Sequence, residues 1–161
     1  MNDGQGSDGE AQQALPSYVT VVNPTDGSEL SWLASRHAVA LARATGAELV
    51  VAYVIDIGAA VRVGAYVTEA VQELWEAGKE ITGRVVALAQ QNGVKARPLI
   101  VEGKPGPTLV ALLQDLNADL VVIGAKGVTS IARILLGSTA EHVLRHTPCP
   151  VFLVDHPARR T

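Results

Sequence analysis

Hydrophobic positions fall into two kinds of run along this chain. Strand-length stretches rich in Val, Ile and Leu occur at Tyr18–Val22, Glu48–Ile55, Lys95–Val101, Leu120–Ile123 and Val151–Val154. Continuous apolar runs of this length predict strands buried on both faces of a sheet. Between them the apolar positions recur every three or four residues, as on a helix with one buried stripe. Leu30, Leu33, Ala34, His37, Ala38, Leu41 and Ala44 make the first stripe, and Gly46 supplies its stop. Val67, Val71, Leu74, Gly78, Ile81, Val85 and Leu88 make the second, ending near Asn92-Gly93 and too short for a coiled coil. Pro107 to Leu116 predicts a third helix, and a fourth runs to about His146.

Strand and helix alternate throughout, so right-handed crossovers and a parallel sheet covered on both faces are expected. Pro98 cannot donate to a ladder, which predicts an edge position for the third strand. The fifth strand, Val151–Val154, is short and apolar; at an edge it would pair with a second copy of itself, and a homodimer is expected. Residues 1–16, rich in Gly, Gln, Asp and Ser, predict a disordered tail, with one domain over 17–155 and a short tail over 156–161. The connection from Asp56 to Tyr66 carries Gly58 and Gly64 and follows a strand, so it is expected to fold as a lid.

Composition narrows the classes. At 161 residues and 48% hydrophobic but 4% aromatic, the chain must build one core from Val, Leu, Ile and Ala. A net charge of −3 with interspersed signs argues against a nucleic-acid surface, and Arg159-Arg160 is too short a basic run to alter that. The single cysteine, Cys149, excludes an intramolecular disulfide and, between Pro148 and Pro150, reads as a small buried hydrophobe. No apolar run approaches the roughly 18 residues that a membrane span needs, and no secretory signal is visible, so the cytoplasm is expected.

Candidate chemistry concentrates in two loops. Gly124-Ala-Lys-Gly127, nine further residues and Gly137-Ser138-Thr139 follow the fourth strand. Open α/β sheets bind ligands at the carboxyl ends of their strands, and a helix start offers free N–H groups to phosphate. Asn23 to Ser28 leaves the first strand, which can neighbour the fourth at the switch point. Each loop also has a purely structural reading. Asp26-Gly27-Ser28 can cap a helix, and Ser138-x-x-Glu141 has the form of a capping box. His142 and His146 are spaced to share a helix face but lack a third metal ligand in any recognised pattern. Asp56 and Glu102 stand near the site mouth, with nothing to pair them as acid and base. No nucleophile elbow, Walker motif or dinucleotide fingerprint is present, and no catalytic residue is assigned.

The Gly-x2-Gly-x9-Gly-Ser spacing after an apolar fourth strand resembles the ATP-binding signature of universal stress proteins. Pro24-Thr-Asp-Gly-Ser28, Tyr53-Val-Ile-Asp56, Val101-Glu-Gly103 and Thr147-Pro-Cys-Pro-Val151 extend the resemblance over about residues 17–155. It implies a five-stranded parallel sheet in the order 3-2-1-4-5 with helices on both faces, a Rossmann-like fold. Carried over, Pro24, Thr25, Val54 and Ile123 would line an adenine pocket, and Asp26 would bond a ribose hydroxyl. Gly124 and Gly127 would admit the ribose and phosphates. Gly137, Ser138, Thr139 and Ala140 at the helix start would hold the phosphates, with Lys126 adding charge. Ala140 departs from relatives that offer a hydroxyl there, leaving its N–H to donate. ATP, with Mg²⁺ through its phosphates, is the implied cofactor, and a stress-response regulator with at most slow hydrolysis the implied function. A cyclic AMP sensor, a slow ATPase and a nucleotide-free interaction module are the alternatives.

Overall fold

The computed structural model describes residues 14–58, 67–127 and 136–156. Its elements alternate: β1 (Thr20–Pro24), α1 (Glu29–Thr45), β2 (Glu48–Ile55), α2 (Val67–Gln91), β3 (Ala96–Glu102), α3 (Pro105–Asp115), β4 (Leu120–Gly124), α4 (Ser138–His146) and β5 (Val151–Val154). The strands form one sheet in the order β3-β2-β1-β4-β5, with every neighbouring pair parallel. Residues 1–13 of the expected tail, 59–66 of the expected lid, 128–135 of the glycine loop and 157–161 lie outside the described residues.

Side chains alternate across the strands, so each continuous apolar run feeds two cores. Val21, Leu49, Val51, Leu120 and Val122 pack beneath α1 and α2 with Ala34, Ala38, Val85 and Ala89. Val22, Val50, Ala52, Val121 and Ile123 pack beneath α3 and α4 with Leu109, Leu113 and Val143. Local signals set the helix limits. Ser28 caps α1 by accepting from the Ser31 N–H at 3.1 Å, and Gly46 ends it in a left-handed conformation at φ 74°. Pro105 opens α3, where a missing N–H costs nothing.

Several element ends shift by one or two residues from expectation, and the start of β1 and the buried side of α1 have identifiable causes. β1 begins at Thr20 rather than Tyr18, because the Asp119 carboxylate accepts from the N–H groups of both Val19 and Thr20 at 2.8 Å. Tyr18 instead packs against the α1–α2 core. On α1, the buried side includes Ser31 and Ser35, while His37 and Ala44 are exposed. Hydrogen bonding permits those two serines to be buried: the Ser31 hydroxyl donates to the Ser28 carbonyl at 2.9 Å and the Ser35 hydroxyl to Asn23 Oδ1 at 2.7 Å. β3 lies at an edge, as Pro98 requires, and β5 forms the other edge.

The pairing of β1 with β4 stops early. β1 stays paired with β2 through Pro24↔Ala52, and the Thr25 N–H extends that pairing by donating to the Ala52 carbonyl at 2.9 Å. Against β4 the register covers only Val21↔Leu120 and Val22↔Val121, although β4 continues to Gly124. Fully buried Asn23 bridges the resulting gap, its Nδ2 donating to the Val122 carbonyl at 2.9 Å. A side chain thus stands in for a ladder bond at the point where the strands part. Asn23→Ala orphans that buried carbonyl and should lower the unfolding free energy by about 1–3 kcal/mol in urea denaturation. Exposed Gln90→Ala should change it by less than about 0.5 kcal/mol; equal midpoints would show that Asn23 does not hold the strands.

Candidate functional site

β1 and β4 part at the topological switch point of the sheet, and the two loops picked out from the sequence flank this crevice between the strand ends. In the first loop the Asp26 carboxylate accepts from the Ser28 N–H through Oδ1 at 3.0 Å. Buried Thr25 places its Oγ1 3.1 Å from the Ser31 hydroxyl. The loop is therefore anchored to the first turn of α1, and its structural role as a helix entry is realised.

The second loop is closed by backbone contacts. The Gly137 N–H donates to the Ala125 carbonyl at 2.8 Å, and the Ala125 N–H to the Val154 carbonyl at 2.7 Å. A Cβ on Gly137 would stand 3.3 Å from both the Ala125 carbonyl oxygen and Lys126 Cα, so the two ends of the loop touch through bare backbone. The same loop meets the first one. A Cβ on Gly127 would fall 2.5 Å from Asp26 Oδ2. At Gly124 a Cβ would make ordinary contacts of 3.5 Å with Leu30, so packing does not demand glycine there.

This closure sets the N-terminus of α4 beside the end of β4. The N-cap is Gly137, with no side-chain capping bond, and Ser138 is the first helical residue. The capping box read from Ser138 and Glu141 is not formed. Glu141 is instead drawn along the helix to Arg145, whose Nη2 donates to it at 2.9 Å. The first N–H groups, at Ser138, Thr139 and Ala140, thus have no side-chain acceptor, and the helix dipole adds about half a positive charge there. Ala140 is buried in the α3–α4 core, which leaves its N–H as its polar contribution.

The remaining lining residues share one sheet face. Ile123 lies in the α3–α4 core, with half-buried Val54 against it. Pro24 is buried and, two residues beyond Val22, falls on the same face. Lys126 is half-buried between the glycines. Asp56 and Glu102 line a separate open cavity of about 480 Å³ with Lys104, and Glu102 accepts from the Trp75 indole N–H at 2.9 Å. The His142 and His146 rings stack at 4.3 Å, and His146 Nδ1 lies 2.8 Å from the His142 carbonyl. No group of three metal-ligating side chains converges among the described residues. Cys149 is half-buried against the α3–α4 core.

Asn23 at the crevice, and Tyr53 on β2 within the field of Asp26, escape sequence reading. Asn23 is polar at the end of an apolar strand, which was the available signal, but its neighbours Pro24 to Ser28 mark it as a turn residue. Tyr53 belongs to an apolar run and looks like core. Its ring packs so closely on α2 that a Cβ at Gly78 would stand 2.8 Å from Cδ1. That burial, and secondly the negative charge of Asp26, raises its phenol above the ordinary value of about 10.

The profile of the universal stress protein family matches residues 17–155. A universal stress protein of Methanocaldococcus jannaschii is 38% identical over 144 residues, spanning 88% of this chain and 85% of its own. The structure of the universal stress protein UspA from Lactobacillus plantarum superposes with a TM-score of 0.77 at 26% identity, covering 86% of this chain and 99% of its own. A universal stress protein solved in complex with cAMP superposes with a TM-score of 0.63 at 31% identity, covering 86% and 97%.

A raised phenol stabilises the fold below pH about 10 and loses that contribution as pH climbs through the folded-state value. Asp26→Asn should lower the Tyr53 value while leaving it above that of free tyrosine, because burial is the larger cause. Titration of the tyrosine ring carbons by NMR checks this; an unchanged value would separate Asp26 from Tyr53.

Proposed function

The chain belongs to the universal stress protein family, and from that premise we propose that it binds an adenine nucleotide, ATP foremost, in the crevice between β1 and β4. One observation carries the reading. The backbone closure at Gly137 brings an uncapped helix start against the end of β4, where donors and dipole favour a phosphate. In this reading Pro24, Thr25, Val54 and Ile123 wall the base, and Asp26 accepts from a ribose hydroxyl. Gly124 and Gly127 keep the backbone open to the sugar. The N–H groups of Ser138, Thr139 and Ala140 hold the phosphates, with Lys126 adding positive charge, whereas the Gly137 N–H is taken by the Ala125 carbonyl and Gly137 contributes by its lack of a side chain. Mg²⁺ enters with ATP on the phosphate oxygens rather than on side chains.

The reading is one of binding rather than fast turnover. Hydrolysis requires a group that orients or activates water in line with the phosphoryl group. In this reading the Asp26 carboxylate, held by the Ser28 N–H through Oδ1, serves the ribose rather than the phosphoryl group. The bound state would therefore be the signal of a cytoplasmic stress-response regulator. Cyclic AMP is the second reading, favoured by the relative solved with that nucleotide.

The same proposal includes a homodimer through β5. Phe152 and Leu153 on that edge strand are 40% and 39% exposed, unusual for large apolar residues in a parallel sheet.

Two measurements follow. Calorimetric titration of nucleotide-stripped protein with ATP, AMP and cyclic AMP, with Mg²⁺ present, should give micromolar ATP binding. Gly127→Val, which displaces Asp26, should weaken it at least about tenfold, or about 1.4 kcal/mol. Tighter cyclic AMP than ATP would favour the second reading, and no binding by any of the three would remove both. Sedimentation of Phe152→Glu/Leu153→Glu should show a monomer where the unsubstituted chain is a dimer; an unchanged mass would move the interface elsewhere.

A further inference from the structure

The outer surface of the α1–α2 layer carries an open groove of about 580 Å³, lined by Arg36, Val39, Ala40 and Arg43 of α1 and by Leu88 and Asn92 of α2. Its floor is apolar and its rim basic. One turn above it, the Arg84 guanidinium lies 5.1 Å from the centre of the Trp32 ring. Trp32 and Arg84 stand four residues before Arg36 and Leu88, so they continue the same two helix faces. The ion pairs among the described residues engage Lys79, Lys95, Arg97 and Arg145, whereas Arg36, Arg43 and Arg84 have no carboxylate within 4.0 Å. Glu80, one turn before Arg84, makes no ion pair with it.

Three guanidiniums without a carboxylate partner, Arg36 and Arg43 on the groove and Arg84 on Trp32 beside it, run against the overall sign of a chain with net charge −3. Guanidiniums engage carboxylates in bidentate geometry, and their stems add apolar contact. Arg36 and Arg43 are seven residues apart, two helical turns or about 10.5 Å. Acidic residues two turns apart on a partner helix match that spacing. Ala40 between them lets a partner backbone approach closely, and half-buried Leu88 with exposed Ala44 offers apolar contact for an aliphatic anchor.

We propose that this groove docks an acidic amphipathic helix of a partner protein, its carboxylates on Arg36, Arg43 and Arg84 and its aliphatic side chains on the floor. It is a helix-in-groove mode in which charge sets register and apolar contact adds affinity. The surface is built on the flanks of α1 and α2, away from the strand ends, and stands whether or not the crevice binds a nucleotide.

The probe is a fluorescein-labelled 15-residue helical peptide with Leu at every third or fourth position and Glu two turns apart. Titrated with the full chain at low salt, its anisotropy should give a Kd of tens of micromolar, weakening at least threefold in 0.5 M NaCl. Amide shifts should map to α1 and α2. Arg36→Glu/Arg43→Glu should weaken binding at least tenfold, and a Lys-for-Glu version of the peptide should bind that variant better than the unsubstituted chain. That exchange cannot arise from misfolding, which circular dichroism would also report. Absence of saturable binding, or equal binding to the charge-reversed variant, overturns the proposal. Two further outcomes overturn the assignment of the occupant. One is binding that appears only after deletion of residues 1–13, which carry Asp3, Asp8 and Glu10 and no Lys or Arg; the groove would then belong to the chain's own segment. The other is equal competition by polyphosphate, which would make it a phosphate surface.

Discussion

The hydrogen bond from Asn23 to the Val122 carbonyl holds the sheet at the place where its ladder gives way. β1 follows β2 to its end, while β4 leaves after two register pairs. Without a substitute partner, that departure would strand a buried carbonyl at a cost of about 1–3 kcal/mol. The Ser35 hydroxyl fixes the other end of the Asn23 amide, so the parting of the strands is tied to the seating of α1. The crevice, the anchoring of the first loop on α1 and the meeting of Asp26 with Gly127 all follow from that arrangement.

Backbone rather than side chains shapes the meeting of the two loops. Gly137 and Gly127 are needed where one segment of main chain approaches another or meets a carboxylate, and a side chain would hold them apart. The donors at the start of α4 are main-chain N–H groups whose local side chains look elsewhere: Glu141 to Arg145, Ala140 into the core. Donors of this kind, aligned with the helix dipole, favour an anion at the start of α4. The basic groove lies on the flanks of α1 and α2 and the exposed apolar edge along β5, and the two approach each other where the Phe152 ring meets His37, the neighbour of Arg36, at 5.7 Å.

The alternation of elements was legible because burial on both sheet faces imposes continuous apolar runs that differ from helical stripes. β2 and β5 have the limits their hydrophobicity marks, and Pro98 identified an edge. Errors arose where polar groups were satisfied at a distance. Tyr18 and Val19 look like strand, yet Asp119, a hundred residues on, takes the N–H groups of Val19 and Thr20. Ser31 and Ser35 look like surface, yet their partners on the first loop and in the sheet allow burial. Ser138 and Glu141 have the spacing of a capping box, but Glu141 has an alternative partner one turn on.

What this sequence determined alone was the order and type of its elements, the wound parallel sheet they imply and the position of its glycine-rich turns. Those properties rest on periodicity, turn chemistry and the loss of the proline donor, all of which act within a few residues. The tertiary structure alone decided that Asn23 would replace a ladder bond, that Tyr53 would sit within the field of Asp26, and that the start of α4 would remain uncapped. Only the assembled layer also set Arg36 and Arg43 of α1 beside Leu88 of α2, with Arg84 stacked on Trp32 a turn away. Each of these depends on which distant group satisfies a buried dipole or leaves a charge unpaired, and hydrogen-bond partners across the fold exist only once the chain has brought them together.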